Sequence, residues 1–513
     1  MEFIERVYRI IARVQSQRGL PVPELTLAYD ETLPGSGYRV ENGCVYGGDR
    51  AGLMAGAGRY LREPAFRGTF VPQRKYIGTY FATHFGNYYM NAPLDELTEY
   101  LEDLALWGQN LLVVWYDMHD YTGIDDPKAA AYIKRLRAIL MAARGVGMMT
   151  GLTMLANEGY STTPPELRAD WHVQGRYFLN PRGHYHVEIC PSREGGAELI
   201  FRNRREMLER FADLQPDVCA LWTYDQGGCT CDACQPWAAN GFFRLAVPLR
   251  ELIHRYNPDA EVTLCGWYLD HFIHGEWDAF LRELEADPKG FRYVAGIHNT
   301  DPTLPECVRI GQLPHGIRTI GFPEISMTGC FPWGGLGANP MPERLEKGFL
   351  DNGQYQDGLW SYSEGVYEDM NKVIVLSLYA GAYKTAGEAV RAYCGFWFGD
   401  AHADALTELV YTLERAKQVW RGGSYEIAID DAEALDALMT RVEDTLTRKT
   451  LRWQTLRLRV RLMKLLSENG GQIDDAVERE LHTLEQLYHV DETSYFCVSP
   501  PTRKAISRNF GRT

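Results

Sequence analysis

Three acids stand where an apolar run passes directly into glycine- or aromatic-rich text: Asp225 in TYDQGG, Glu324 in GFPEISM and Glu364 in SYSEGVYEDMN. Hydrolysis of an acetal needs one protonated carboxyl to assist the leaving oxygen and one ionised carboxylate to attack or to activate water. Aromatic burial can raise one pKa while polar neighbours keep the other low. Three acids can supply these two roles. Asp225 is assigned as proton donor and Glu324 as nucleophile or base, while Glu364 either exchanges roles with one of them or grips a sugar hydroxyl. Each also has a plain structural reading: Asp225 as a turn cap or an anchor for the text behind it, Glu324 in a loop salt bridge, Glu364 facing the start of the helix NKVIVLSLYAGAY. The stereochemical outcome stays open, because it depends on a carboxyl separation of about 5–5.5 Å or roughly 6.5–9.5 Å.

Cys229, Cys231 and Cys234 follow Asp225 closely in the pattern C-x-C-x2-C, and Cys190 in HVEICPSREGG precedes the run that carries them. Four such sulfurs would make a closed structural zinc site, whereas a redox pair would need no third cysteine. The pattern lacks the second C-x2-C half of a full zinc signature, so an iron–sulfur cluster and free thiols packed in a loop stay open beside structural zinc.

Far-separated acids need a scaffold that gathers them. From residue 74 onward, short apolar runs alternate with amphipathic helices, as βα repeats do. Eight runs can be counted: YIGTYFATHF, NLLVVWYDMHDY, MMTGLTMLANEGY, DVCALWTYDQGG, AEVTLCGWYLDHF, FRYVAGIHNT, IRTIGFPEISM and DGLWSYSEGVYEDMN. Eight units predict a (β/α)8 TIM barrel, with a doubly wound open sheet as the alternative. All parallel strands open toward one face, so the polar residues just past each run would converge. Those ends are rich in ionisable groups: His84, Asp117 with His119, Glu158, Asp225, Asp270 with His271, His298 with Asp301, Glu324, and Glu364 with Asp369. His84, Asp117, His119, Glu158, Tyr224, His298 and Tyr362 are expected to line a substrate pocket. Trp333, in the Gly/Pro-rich FPWGGLGANP, is expected to offer a flat face to a sugar ring over the barrel mouth.

Residues 1–72 read as a small N-terminal α+β domain, with a hairpin turn at Asn42-Gly43. Residues 73–385 read as the catalytic barrel. Residues 386–513 read as a C-terminal helical domain and tail, with LTELVYTLERAKQVW among the helical stretches.

The net charge of −15 argues against nucleic acid or an anionic membrane as partner, since both require a basic face. Aromatic content of 12%, with 12 Trp and 30 Tyr, suits a ring-binding cleft. The opening MEFIERVYRIIARVQSQRG is amphipathic and no run is long enough to span a bilayer, so a cytoplasmic protein with reduced thiols is expected. A small carbohydrate or glycoconjugate is the expected partner, and a homo-oligomer stays open.

The small domain carrying GGDRAGLMAGAGRYLR, followed by the barrel opening RKYIGTYFATHFGNYYMNAPLDELTEYLEDLALWGQNLLVVWYD, resembles glycoside hydrolases related to families 20, 67 and 84. This is the β-N-acetylhexosaminidase and α-glucuronidase group, and the similarity extends over about residues 35–385. The resemblance implies an exo-acting glycosidase with no cofactor required for catalysis. In the hexosaminidase families an adjacent acid pair ends the fourth strand; here the matching pair is Asp225-Gln226, and a glutamine cannot donate the proton. The α-glucuronidase pattern, with one acid mid-barrel and carboxylates on late strands, accommodates Asp225, Glu324 and Glu364 better. A catalytically silent sugar-binding protein on the same barrel, and a metal-dependent hydrolase or lyase using strand-end histidines with the cysteines, are the rival readings.

Overall fold

The computed structural model describes residues 2–83, 87–171, 187–224, 228–271, 273–287, 290–297, 304–326, 339–365, 368–421 and 424–489. Near the N-terminus the helix Glu2–Arg18 buries Val7, Ile10, Ile11 and Val14, the three- and four-residue spacing of an amphipathic stripe. A four-stranded sheet follows, in the order β1-β3-β2-β4, with β1 Thr26–Tyr29, β2 Tyr38–Glu41, β3 Cys44–Gly47 and β4 Gly68–Phe70. Asn42 and Gly43 close the β2–β3 hairpin with φ of 49° and 76°, which is why that dipeptide marks the turn. Strand β4 is too short to announce itself in the sequence; it forms because β2 offers it an edge.

All eight runs read from the sequence become strands of one closed parallel barrel. They are β5 Tyr76–Phe81, β6 Leu111–Trp115, β7 Met149–Leu155, β8 Val218–Trp222, β9 Glu261–Cys265, β10 Tyr293–Ile297, β11 Arg318–Gly321 and β12 Gly358–Ser363. Each pairs with the next, and β12 closes on β5 from Gly358↔Tyr76 to Ser363↔Phe81. Helices packed outside the barrel bury the outer strand faces, so β5, β6, β8 and β9 are buried at every position. The register of β10 on β11 shifts between Val294 and Ile297, where Gly296 takes φ 69°. A Cβ there would sit 2.2 Å from the Cys265 sulfur, so only glycine allows the bulge.

Beyond the barrel lie the helices Ala386–Phe398, Ala403–Arg415, Ala432–Glu443, Leu451–Glu468 and Asp475–Leu487. One expectation fails here. LTELVYTLERAKQVW is helical only to Arg415; Lys417–Arg421 forms β13, antiparallel to β14 at Ser424–Ala428. The alternating β-branched and aromatic residues of KQVWR and SYEIA, either side of a Gly-Gly pair, find a strand partner a few residues away, and that outweighs continuation of the helix. The last barrel helix, Asp369–Ala380, is buried along its whole length. Arg452 of the C-terminal helices seals it, donating to Asp369 Oδ2 (2.6 Å) and to Asp103 Oδ2 (2.7 Å) on the helix Leu94–Leu106.

Candidate active site

The C-terminal ends of β11 and β12 carry two of the three candidate acids. Residues i and i+2 of a strand face the same side, and Phe322 points its ring into the barrel, so Glu324 continues on the inward parity. Glu324 is half-buried and forms a parallel bridge to Tyr362. Glu364 is buried, and its Oε1 accepts a 2.9 Å hydrogen bond from the Tyr362 hydroxyl. The backbone at this point is held from beneath. Ser326 Oγ accepts from the Glu364 amide (2.9 Å) and donates to Glu368 Oε1 (2.9 Å). The same carboxylate oxygen also accepts from Ser363 Oγ (2.8 Å) and the Gly365 amide (2.7 Å).

Below that clamp the buried Lys372 ammonium donates to Gly365 O and to the Tyr100 hydroxyl, both at 2.7 Å. Burial draws its pKa down to about 8, against the pull of Glu368 and Asp369. Glu368, Ser326 and Lys372 escaped the sequence reading. Their roles depend on contacts between two strand ends and a helix start, and YEDMNK alone does not distinguish its acids. Asp369, counted among the strand-end groups, faces away from the barrel mouth into the Tyr393–Arg452 cluster, where Arg452 and Lys372 outweigh burial and hold its carboxyl below the usual range.

Aromatic rings form the floor beneath these acids. Tyr80 of β5 stacks on Tyr362 (centroids 5.9 Å, 20°), and Phe322 lies 5.6 Å from Tyr80 and 5.0 Å from Trp222 of β8. Trp267, two residues past β9, closes the group at 5.3 Å from both Trp222 and Phe322. Three strand ends and the segments just past β9 and β11 thus meet in one aromatic layer. The Trp222 indole Nε1 is buried without a hydrogen-bond partner among the described residues.

The ends of β6 and β7 carry a second polar group. Asp117 and the His119 Nδ1 are in close contact, and His119 Nε2 lies 3.4 Å from Asp120. Burial works against charge on this imidazole, but Asp117, Asp120 and Glu158 together lift it to about 9. Glu158 is wholly buried, accepts from the Met118 amide (2.8 Å) and pairs with the equally buried Arg204 (3.2 Å). Burial and Asp117 push its carboxyl up, against Arg204. Ligand atoms of Asp117, His119 and Glu158 lie within 4.8 Å of one another, close enough for a metal ion. The Arg204 guanidinium, however, already supplies positive charge to Glu158. Tyr224 is buried; its hydroxyl donates to Glu276 Oε1 (2.7 Å), and burial raises the Glu276 carboxyl to about 7. Its hydroxyl is thereby engaged within the protein, and Glu276 is a further buried acid that the sequence reading passed over.

Cys190, Cys229, Cys231 and Cys234 come together although 39 residues separate the first two in the sequence. All four sulfurs lie within 4.8 Å of one another, and Cys190 Sγ is 3.8 Å from both Cys231 Sγ and Cys234 Sγ. The Asn157 side chain ties the two segments together, donating to Ile189 O (3.1 Å) and Gly228 O (2.9 Å) and accepting from the Gly228 amide (3.1 Å). His84, Asp225, His298, Asp301 and Trp333 lie outside the described residues.

No helix among the described residues is long and apolar enough to cross a membrane. No protein-family model matches the sequence, nor does any curated protein. Solved structures do match. A family 89 glycoside hydrolase from Clostridium perfringens, in complex with GlcNAc-α-1,4-galactose, aligns with a TM-score of 0.63 at 10% identity over 94% of this chain and 64% of that one. A family 115 4-O-methyl-α-glucuronidase with specificity for decorated arabinogalactans aligns at 0.55 and 11% identity over 97% and 70%. A family 20 β-N-acetylglucosaminidase aligns at 0.51 and 10% identity over 78% and 92%. The chain spans 64% of the length of the first of these. At such identities the likeness establishes architecture: this chain is built on the same (β/α)8 barrel as glycoside hydrolases of families 20, 89 and 115.

Proposed function

We propose that the protein is an exo-acting glycoside hydrolase that removes a terminal sugar by carboxylate acid–base catalysis. The observation that carries this reading is the convergence of Glu324 and Glu364 on adjacent strand ends, at the edge of an aromatic floor made by Tyr80, Trp222, Trp267, Phe322 and Tyr362. A pyranose has apolar C–H faces and a rim of hydroxyls, so rings below and carboxylates at the side match both. Glu324 acts as nucleophile or base, and Asp225, which follows β8 in the sequence, as proton donor. Glu364, oriented by Tyr362, grips a sugar hydroxyl or exchanges roles with one of them. Oxocarbenium character in the transition state concentrates positive charge between these carboxylates. The chemistry needs no cofactor. Asp117 and His119, past the end of β6, are assigned to sugar hydroxyls, and Glu158 holds the chain between them through the Met118 amide.

A terminal N-acetylglucosamine or glucuronic acid is the proposed sugar class, in keeping with what the structurally similar hydrolases act on or bind. A cytoplasmic setting, where thiols stay reduced, belongs to the same reading. The test is a panel of aryl α- and β-glycosides that includes N-acetylglucosaminides and glucuronides. Turnover of one class, with the free sugar as first product from a longer substrate, is the expected result. Tight binding of a sugar with no turnover of any panel member would favour the silent binding protein.

A further inference from the structure

We infer that Cys190, Cys229, Cys231 and Cys234 form a closed zinc tetrathiolate that staples the segment after β7 to the segment after β8. Four sulfurs about 2.3 Å from a central ion at tetrahedral corners stand about 3.8 Å apart. Two of the six sulfur pairs here measure 3.8 Å, and none exceeds 4.8 Å. A disulfide requires about 2.05 Å and selects one partner. Cys190 instead stands equally far from Cys231 and Cys234, and all four cysteines are free thiols. Cys190, Cys229 and Cys234 are fully buried and Cys231 partly so, which leaves little room for a non-protein ligand. Four sulfurs this close together fit a single ion and not a multi-iron cluster, and four thiolates with no open position are the donor set of a structural zinc site.

The surrounding chain is shaped to keep the four sulfurs together without help from regular secondary structure. Asn157 joins the residues beside Cys190 and Cys229, as described above. Thr230 donates through both its amide (2.8 Å) and its hydroxyl (3.0 Å) to Asp170 O. The Gln235 side chain donates to Cys229 O (2.7 Å), and the Cys234 amide to Cys231 O (2.9 Å), folding the C-x-C-x2-C segment into a compact turn. These bonds bring two strand-end segments into register, and the ion locks them. Asp225 stands four positions before Cys229 in the sequence, so a fixed anchor at 229–234 restricts where that acid can go. This last consequence rests on the hydrolase reading; the metal site itself does not.

Elemental analysis of the full-length protein, purified without added metal or chelator, is expected to give one zinc per chain. Titration with an organomercurial should release that zinc as four thiols react. The variants C190S and C231S should each lose zinc, while C307S, outside the cluster, should retain it. Cobalt grown into the site should show the visible absorption of a tetrahedral tetrathiolate. A folded wild-type protein with no zinc, iron in its place, a disulfide within the cluster, or zinc retained in both C190S and C231S would each overturn the site. If the serine variants do not fold, the wild-type zinc content and mercurial titration still decide. Should zinc be present while no glycoside is turned over, the metal site stands and the hydrolase reading falls. Unchanged kcat after zinc release from a still-folded enzyme would overturn the anchoring of Asp225 alone.

Discussion

The Tyr362 hydroxyl donates a 2.9 Å hydrogen bond to Glu364 Oε1, two residues further along the chain and just past the end of β12, while the Tyr362 ring stacks on Tyr80. One side chain therefore both builds the floor of the site and aims a carboxylate above it. Removing only the hydroxyl, in Y362F, keeps the stack and deletes this one hydrogen bond. A hydrogen bond to a charged group contributes about 1.5–3 kcal/mol. The expected outcome is a fall in kcat of about tenfold or more with a loss of stability no larger than that, read by steady-state kinetics and denaturant unfolding.

Glu324 and Glu364 stand just past β11 and β12, whereas Glu368 is tied into the serine clamp by three hydrogen bonds to one oxygen. E324Q and E364Q should each lower kcat by about 10²–10⁴-fold, the range that acid–base groups supply, while a bound inhibitor keeps its affinity within a few-fold. E368Q works through Ser326, Ser363 and Gly365, so it should reduce both stability and kcat. Kinetics and calorimetric binding on the three variants separate these cases.

Trp222 presents a buried indole N–H with no partner among the described residues, in the layer where a sugar would lie. W222F keeps an aromatic face, deletes the donor and leaves a small void. An increase in KM of about three- to tenfold, close to 1 kcal/mol, is expected, with a modest loss of stability because removal of the buried orphan donor offsets only part of the void. W222A should instead cost about 3–5 kcal/mol of stability by opening a cavity.

His119 is lifted from 6.5 to about 9 once Asp117, Asp120 and Glu158 overcome burial, and Glu158 is itself raised. The folded state therefore binds protons more tightly than the unfolded state in this window. The His119 contribution is fully present below pH 6.5 and is lost as pH rises through about 9. Its size is on the order of 3 kcal/mol, the shift taken at about 1.4 kcal/mol per pH unit. Chemical denaturation between pH 6 and 9.5 should show falling stability, and H119N should flatten that slope.

Arg452 bridges Asp103 and Asp369, both buried, across three helices. R452M takes one cation from each carboxylate, while Asp103 keeps Arg13 (2.7 Å) and Asp369 keeps the Tyr393 hydroxyl (2.8 Å), and should cost about 1.5–3 kcal/mol. Adding D369N should recover part of that loss, which a double-mutant cycle by denaturant unfolding would measure.

The eight barrel strands were legible because each is a short apolar run between helical stretches, and a parallel strand buried on both faces must read that way. Glu324 and Glu364 stand out in the sequence for a related reason, each being a charge straight after such a run, and the structure adds that Glu324 bridges to Tyr362, whose hydroxyl bonds Glu364. The sequence offers Cys190 as a fourth sulfur by residue type and order alone, and only the structure shows that it lies within 4.8 Å of the other three, since nothing in spacing gives a sulfur–sulfur distance. The β13–β14 hairpin was missed because its strand tendency was read as a helix continuing.

Sequence by itself determined which segments form the barrel and which residue types stand at its open end, since periodicity and burial act locally along the chain. Tertiary structure alone decided which of those groups are spent inside the protein, as with Glu158 on Arg204, Tyr224 on Glu276 and Asp369 on Arg452. The physical reason is that a charge or hydroxyl takes its role from its nearest partner in space. For each of these that partner lies tens of residues away along the chain.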